Sequence, residues 1–202
     1  NAVAELALGM MVYAFRNFFN GTSGAELMGK KLGIHAFGNV GRNVARVAKG
    51  FGMEVYAFDA YCPAEAIAAA GVTPVNSAEE LYATCQVVSL HIPATAETKK
   101  SINYELLNKM PKNALLVNTA RKEVIDEEQM LQLMKDRADF KYVTDIEPSM
   151  KEAFAAMEGR YFSTPKKMGA QTSEANINAG LAAAEQIVDF IVNGNTRFKV
   201  NN

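Results

Sequence analysis

KLGIHAFGNVGRNVARVAKGFGMEVYAFD, residues 31–59, decides the fold of this chain. Residues 32–37 are mostly apolar and suit a short buried strand, and the GNVG sequence at 38–41 then interrupts the apolar run. Apolar residues recur at helical spacing over 40–51, and a second apolar run covers 53–58. The stretch therefore predicts a strand, a glycine turn, a helix and a second strand.

The glycine turn has the chemistry of a pyrophosphate site. A tight turn from strand to helix directs free backbone N–H groups and the positive end of the helix dipole at one point. Gly38 lets the backbone approach the phosphates, Gly41 lets the helix pack on the strand, and Asn39 and Val40 lie between them. Asp59 follows Gly41 by 18 residues, where a carboxylate accepts hydrogen bonds from the ribose hydroxyls of adenosine. The alternative is an ordinary strand–helix turn that merely needs glycines.

The same region predicts which dinucleotide binds. Ala36 replaces the first glycine of the usual G-x-G-x-x-G pattern, which is a departure. Asp59 would repel a 2′-phosphate, and Ala60, Tyr61 and Cys62 supply no arginine to accommodate one. NAD is therefore favoured over NADP.

The composition narrows the class of protein. The chain has 202 residues, 49% of them hydrophobic, and a net charge of −1, which argues against a nucleic-acid partner. The sequence contains no apolar run of the roughly 18 residues that a membrane span needs. Cys62 and Cys85 fit no C-x-x-C pattern and indicate reduced thiols in a cytoplasmic protein. Because Asn1 is not Met and already lies in a helical pattern, we expect a piece of a longer protein.

Strands and helices alternate along the remaining chain. Further helices are predicted over residues 2–19, 63–70, 78–84, 104–110, 127–135 and 173–193, and strands over 72–75, 86–91, 114–118, 140–145 and 161–163. Ser77 with Glu80 predicts a capping box, and Asp126 a helix cap. The alternation predicts an α/β fold, a Rossmann-type doubly wound parallel sheet with helices on both faces.

The opening helix is apolar on more than one face, so part of it is expected to meet a partner subunit. Packing within its own domain is the alternative.

Polar residues follow the carboxyl ends of the predicted strands, where ligands bind in such sheets. They are Gly38–Gly41, Asp59, His91–Pro93, Asn118–Arg121, Asp145–Glu147 and Pro165–Lys167. The segments NAVAELALGMMVYAFRN, KKLGIHAFGNVGRNVA, SLHIPATAETKKSIN, LLNKMPKNALLVNTARKEVIDEEQM and TPKKMGAQTSEANIN resemble, in order, signatures of the NAD-dependent D-2-hydroxyacid dehydrogenases. The resemblance covers nearly the whole chain and is nearest to the members that oxidise 3-phosphoglycerate in serine biosynthesis.

The resemblance implies a set of cofactor-binding residues. They are the glycine turn with Asp59, followed by His91, Ile92, Pro93, Asn118, Thr119, Ala120 and Asp145. Asp145 matches the residue that holds the nicotinamide carboxamide, and His91 one that acts mainly through its backbone. His35 is expected to be a core or phosphate-proximal side chain. The two histidines are far apart in sequence and have no third ligand, so no metal site is expected.

The resemblance also implies catalytic roles. Arg121 matches the arginine that binds the substrate carboxylate and polarises its carbonyl, for which a planar guanidinium is suited. Glu147 matches the glutamate that pairs with the acid/base residue, although the family usually has a longer spacing after the aspartate. Each residue could instead have a simpler role. Arg121 could cap the helix that follows it or neutralise its acids, and Glu147 could be a solvated turn residue.

The acid/base residue is the main departure from the family. Where the family has a histidine after Thr-Pro, this chain has Lys166 and Lys167. A lysine can protonate an alkoxide or, as the amine, accept a proton, but its pKa in water is about 10.4. Arg121 and partial burial would lower the pKa, and Glu147 would raise it. We therefore expect an elevated pH optimum for oxidation, or else an inactive site with two surface lysines.

The chain as a whole is interpreted as one NAD-binding domain, 1–202, with the last helix and tail (about 173–202) running back towards an absent substrate domain. Family members generally dimerise through this domain, so a homodimer is expected. The substrate is a small 2-hydroxy acid whose identity the missing domain chooses. Alternatives are a hydroxypyruvate, glyoxylate or lactate enzyme, a non-catalytic NAD-binding scaffold, or another Rossmann enzyme such as a methyltransferase.

Overall fold

A seven-stranded, all-parallel sheet forms the centre of the computed structural model, which describes residues 1–201. The strands are β1 (Lys31–His35), β2 (Glu54–Phe58), β3 (Thr73–Pro74), β4 (Val87–Leu90), β5 (Leu115–Asn118), β6 (Lys141–Thr144) and β7 (Tyr161–Ser163). Their order across the sheet is β3-β2-β1-β4-β5-β6-β7. The predicted α/β fold with a doubly wound parallel sheet is confirmed.

The described residues contain eight α-helices. They are α1 (Ala2–Phe15), α2 (Asn39–Gly50), α3 (Ala64–Ala69), α4 (Ala78–Thr84), α5 (Tyr104–Asn108), α6 (Glu127–Asp136), α7 (Lys151–Ala155) and α8 (Ser173–Asn193). Two 3₁₀ turns lie at Asn17–Phe19 and Lys122–Val124. No helix among residues 1–201 is long and apolar enough to span a membrane.

The strands β4 and β5 are buried along their whole length because helices cover both faces of the sheet. Every residue of β4 and β5 is buried, which is the pattern of strands inside a parallel sheet. One core cluster contains buried residues of α1, α2 and α3, and a second contains buried residues of α4, α5, α6 and α7. The sheet therefore lies between two packed layers of helices, which hold its strand ends in place.

The opening helix is shorter than the sequence predicted, and most of its apolar surface is buried in its own domain. It ends at Phe15 because the next residues, Asn17 to Phe19, have φ of +51° to +55°, which is outside the helical region. The ammonium of Lys141 donates to the carbonyl of Ala14 at 2.8 Å and helps to end the helix. Since α1 buries six residues in the first core, its apolarity needs no partner subunit to explain it.

The capping predictions are confirmed with one correction. Asp126 accepts from the Gln129 N–H at 3.2 Å, and Ser77 accepts from the Glu80 N–H at 3.1 Å. The side chain of Glu80, however, reaches back to the N–H of Asn76 at 2.8 Å rather than to that of Ser77, so the capping box is only half formed. The predicted strand 72–75 shortens to two residues at the sheet edge, and α7 was not predicted because its five residues show no clear period.

Residues 170–201 make up nearly all of a second compact unit. Its helix α8 has the predicted bounds, is capped by Thr172 through the Ala175 N–H at 3.1 Å, and ends at Gly194 with φ +68°. The predicted tail extends to Asn202, which lies outside the described residues.

Candidate active site

The predicted site residues lie at the carboxyl ends of the strands, at one edge of the sheet. Because all strands are parallel, the segments after β1, β2, β4, β5, β6 and β7 reach the same edge. The order of the strands reverses at β1, which lies between β2 and β4, and a ligand binds at such a switch point. The glycine turn after β1 and the HIP segment after β4 flank this point.

The glycine turn has the geometry of a phosphate site. A Cβ on Gly41 would lie 2.3 Å from the carbonyl oxygen of Ala36, so only glycine allows this close approach, whereas a Cβ on Gly38 would meet no atom within 4 Å. No side chain caps the N-terminus of α2, so its first N–H groups remain available to an anion. Ala36, in place of the usual glycine, has φ +79° and is strained.

Asp59 links the turn to the end of β2. Its carboxylate accepts from the backbone N–H groups of Phe37 at 2.6 Å, Tyr61 at 2.8 Å and Cys62 at 2.9 Å. Burial by itself raises the pKa of Asp59, but these three donors, together with His35, outweigh it and hold the pKa below its usual range. The residue is therefore ionised at neutral pH, as a ribose-binding or phosphate-repelling carboxylate must be.

Asn118 shapes the loop that carries Arg121. Its side-chain oxygen accepts from the Ala120 N–H at 3.0 Å, and its amide donates to the Arg121 carbonyl at 3.2 Å. The hydroxyl of Thr144 donates to the backbone carbonyl of Asn118 at 3.0 Å and so ties the neighbouring strand end to the same loop. The loop after β5 is therefore held by buried polar groups while Arg121 itself is exposed.

Three buried polar atoms at these strand ends have no hydrogen-bond partner among residues 1–201. They are Nε2 of His91, Oγ1 of Thr119 and Oδ1 of Asp145; the fourth such atom, Oγ of Ser89, lies within β4. Buried polar atoms are normally paired, so these atoms are suited to the polar groups of a ligand. With the open glycine turn, they fit a bound dinucleotide.

The two histidines lie on neighbouring strand ends. Burial lowers the pKa of His35 to about 4, although Asp59 and Glu79 raise it. Burial, assisted by His35, lowers the pKa of His91 to about 3. His35 also makes a 3.1 Å hydrogen bond to the hydroxyl of Tyr82. Both rings are neutral near pH 7, and among the described residues no cluster could hold a metal ion.

Lys167 reaches the loop that carries Arg121. Its ammonium donates to the carbonyl of Ala120 at 2.9 Å and lies 3.5 Å from that of Thr119 and 4.0 Å from Oδ1 of Asp145. Burial lowers the pKa of Lys167 and Arg121 lowers it further; Asp145 and Glu123 raise it, and the net pKa is below its usual value. The sequence predicted that burial and Arg121 lower the pKa, without a net direction, and assigned the opposing charge to Glu147 rather than to Asp145 and Glu123.

Glu147 is not the ion-pair partner of Lys167, and Lys166 takes no part in the contacts of the Lys167 ammonium. The carboxylate of Glu147 is half exposed and lies 3.6 Å from the ammonium of Lys151, four residues further along the chain. Lys166 is exposed, and its backbone carbonyl accepts from the hydroxyl of Thr164 at 2.7 Å. The carboxylate nearest to Lys167 is that of Asp145, whose other oxygen accepts from the Gly169 N–H at 2.8 Å.

Taken together, the switch-point turn, the ionised acid after β2 and the converging polar groups define a dinucleotide-binding domain of the Rossmann class. Residues 11–165 match the family described as D-isomer specific 2-hydroxyacid dehydrogenase, NAD binding domain. The chain belongs to this family, whose members are NAD-dependent oxidoreductases.

Individual relatives agree with this assignment. The crystal structure of NAD⁺-bound 3-phosphoglycerate dehydrogenase from Entamoeba histolytica matches 100% of the chain with a TM-score of 0.91 and 46% identity, and the match covers 65% of that structure. D-3-phosphoglycerate dehydrogenase of Methanocaldococcus jannaschii is 35% identical over 92% of the chain and 38% of its own length. Hydroxypyruvate reductase of Thermotoga maritima is 34% identical over 92% of the chain and 65% of its own length. The chain thus spans less than two thirds of each.

Proposed function

We propose that this chain is the NAD-binding domain of a dehydrogenase that oxidises 3-phosphoglycerate to 3-phosphohydroxypyruvate, the type of reaction that opens serine biosynthesis. The names of the relatives from Entamoeba histolytica and Methanocaldococcus jannaschii support this substrate. The observation that carries the proposal is the position of the Lys167 ammonium, 2.9 Å from the Ala120 carbonyl and beside Arg121. Two cations of different chemistry then adjoin one cofactor site.

Arg121 and Lys167 have different roles in the proposed reaction. Arg121 binds the carboxylate of the substrate through its planar fork and polarises the C2 oxygen. Lys167 exchanges the proton of that oxygen: as the amine it accepts the hydroxyl proton during oxidation, and as the ammonium it returns a proton during reduction. NAD, when bound, accepts the hydride from C2. Thr119 and Asp145 each offer an unpaired buried oxygen to the cofactor's polar groups.

Lys167 is a better acid/base candidate than Lys166. Its lowered pKa increases the fraction of free amine, which a general base requires, and its ammonium is anchored by a carbonyl next to Arg121. We assign the partner carboxylate to Asp145 rather than to Glu147, because Glu147 lies against Lys151. Asp145 would then bind both the nicotinamide end of the cofactor and the proton-transfer residue.

The second unit supports a missing substrate domain. Helix α8 has no buried residue and leaves large apolar side chains exposed. They include Ile177, Leu181, Ile187, Ile191 and Val192. A helix with this much exposed apolar surface is normally covered in the complete protein, and relatives are longer than this chain. We propose that residues 170–202 lead back to a substrate domain that selects the 2-hydroxy acid.

Assembly and location are further parts of the proposal. A homodimer through the NAD-binding domain is supported by the family resemblance, and sedimentation of a monomer at high concentration would contradict it. A cytoplasmic location is supported by the free thiols of Cys62 and Cys85, and cell fractionation tests it. The absence of nucleic-acid and membrane partners stays a prediction from the near-neutral charge and the lack of long apolar runs.

A non-catalytic NAD-binding protein is the second candidate. It is favoured by the missing histidine after Pro165 and by the ion pair that turns Glu147 towards Lys151. An enzyme that reduces hydroxypyruvate, glyoxylate or lactate is a third candidate, because hydroxypyruvate reductase of Thermotoga maritima is 34% identical to the chain. Activity measurements on the complete protein separate these candidates.

The test has two stages. Calorimetric titration of this chain with NADH should show binding. The complete protein should then oxidise 3-phosphoglycerate faster than D-glycerate or D-lactate at equal concentration. Lys167→Met should lower kcat by at least about 100-fold, and the matched control Lys166→Met should leave kcat nearly unchanged.

Three results would contradict the proposal. Equal effects of the two substitutions would mean that Lys167 has no special role. A pH–rate limb near 6.5 that neither substitution moves would exclude lysine as the base. NADH binding without turnover of any 2-hydroxy acid would favour the non-catalytic candidate.

A further inference from the structure

Arg42 brings a cation to the adenosine end of the candidate site. It is exposed, follows Gly41 in the first turns of α2, and its guanidinium carbon lies 4.8 Å from the ring centroid of Phe37. Its Nη2 lies 3.3 Å from Sγ of Cys62, whose backbone N–H donates to Asp59. Residues 60–62 supply no arginine, as the sequence shows, but α2 brings Arg42 against Cys62 in the loop that follows Asp59.

The guanidinium of Arg42 forms one weak hydrogen bond and no ion pair within the described chain. A thiol sulfur is a weak acceptor, and among the ion pairs within 4.0 Å in the described chain none includes Arg42. The remaining N–H groups form the planar fork that suits a phosphate. Because the fork already lies over the Phe37 ring and against Cys62, it is held in place before a ligand arrives.

The carboxylate of Asp59, in contrast, already has most of its hydrogen-bond acceptor positions occupied. A carboxylate has about four acceptor positions, and three backbone N–H groups already occupy Asp59. It has room for about one more donor, rather than for both ribose hydroxyls. Its selection against a 2′-phosphate therefore depends mainly on its negative charge.

We propose that Arg42 is a latent 2′-phosphate-binding residue, so that the charge of Asp59 alone makes the site select NAD over NADP. The inference extends the proposed function, since it requires a dinucleotide in this site. A 2′-phosphorylated adenosine would gain a charge-assisted contact with Arg42 and lose free energy by repulsion from Asp59. Replacing Asp59 by a neutral residue removes the repulsion and leaves only the favourable contact with Arg42.

The experiment is a cycle of binding measurements on this chain. NADH and NADPH are titrated into the unchanged protein, Asp59→Asn, Arg42→Ala and the double variant. Asparagine keeps one acceptor oxygen, which can serve the Tyr61 and Cys62 N–H groups that share Oδ1 of Asp59, and circular dichroism checks that each variant is folded. Arg46→Ala is the matched control because Arg46 is an equally exposed arginine one turn further along α2, bonded to Asn1 and Asn43.

Asp59→Asn should tighten NADPH relative to NADH because it removes the repulsion of the 2′-phosphate. Adding Arg42→Ala should then weaken NADPH relative to NADH by about tenfold or more, which corresponds to one charge-assisted contact, and Arg46→Ala added instead should leave the ratio unchanged. The fragments 2′,5′-ADP and 5′-AMP should show the same ratio, which assigns the effect to the 2′-phosphate.

Two outcomes would overturn the inference while leaving the proposed function intact. If Arg42→Ala weakens NADH and NADPH equally, Arg42 contacts a part common to both nucleotides. If Arg42→Ala leaves the NADPH affinity of Asp59→Asn unchanged, Arg42 does not bind the 2′-phosphate. Failure of the unchanged protein to bind either nucleotide would instead overturn the dinucleotide site itself, and the inference with it.

Discussion

Replacing Ala36 by glycine should stabilise the protein, although the change removes a methyl group. Ala36 has φ +79°, in the left-handed region that disfavours L-residues. Its N–H donates to the carbonyl of Phe58 at 2.8 Å, and glycine keeps this bond because it involves only the backbone. Because Ala36 is partly buried against the second core cluster, the substitution tests the strain of the turn against the loss of one methyl contact.

The expected magnitude follows from two opposing effects. An alanine in the left-handed region is strained by about 1–2 kcal/mol. Glycine removes that strain but gives the unfolded chain more conformational entropy, which costs about 0.4–1 kcal/mol. The free energy of unfolding should therefore rise by about 0.5–1 kcal/mol. For a chain of this size, Tm should rise by about 1–4 °C.

Urea denaturation followed by circular dichroism measures the change, with Ala68→Gly as the control. Ala68 is exposed in α3, where glycine should cost about 0.5–1 kcal/mol. The two substitutions remove the same methyl group and should act in opposite directions. If Ala36→Gly lowers the urea midpoint as much as Ala68→Gly does, Ala36 is not strained and the reasoning fails.

Three further predictions concern the glycine turn, His35 and the cap of α6. Gly41→Ala should abolish NADH binding in calorimetry and destabilise the fold by more than about 2 kcal/mol, because its Cβ would lie 2.3 Å from the carbonyl oxygen of Ala36; Gly50→Ala, with nothing within 4 Å, should do neither. The pKa of His35 is lower folded (about 4) than unfolded (6.5), so its contribution to stability is present above pH 6.5 and is lost towards pH 4. Between about pH 6.5 and pH 4 the free energy of unfolding measured with urea should fall by about 1.4 kcal/mol per pH unit from this group, and less steeply in His35→Gln. Asp126→Ala should cost about 1 kcal/mol in thermal unfolding through loss of the α6 cap, and unchanged stability would exclude that role.

The fold was predictable because its signals are local. Hydrophobic runs, the glycine turn and cap residues such as Ser77 and Asp126 each act within a few positions, and the structure confirms these elements with small shifts at their ends. The ends of α1 and β1 were less accurate because positive φ values end them, at Asn17 and Ala36. Residue type was a weak indicator of these angles, since asparagine only sometimes adopts positive φ and alanine rarely does.

The site was predictable only as a set of strand ends. The resemblance indicated which residues follow each strand, but the pairing of side chains depends on the sheet. Lys167 meets a carbonyl 47 positions away, and Asp145 rather than Glu147 is the carboxylate next to it. Arg42 was missed because its contact with Cys62 spans 20 positions and joins a helix to a loop after another strand.

The sequence by itself determined the parallel α/β architecture, the glycine turn and the acid after the second strand, since periodicity and spacing act through local geometry. Only the tertiary structure decided which charged groups are neighbours and how many further contacts each can make. Strand order sets the partners of Lys167, and three backbone donors limit what Asp59 can still bind. The physical reason is that the strength of a charge depends on its burial and on its neighbours, and residues distant in the sequence supply both.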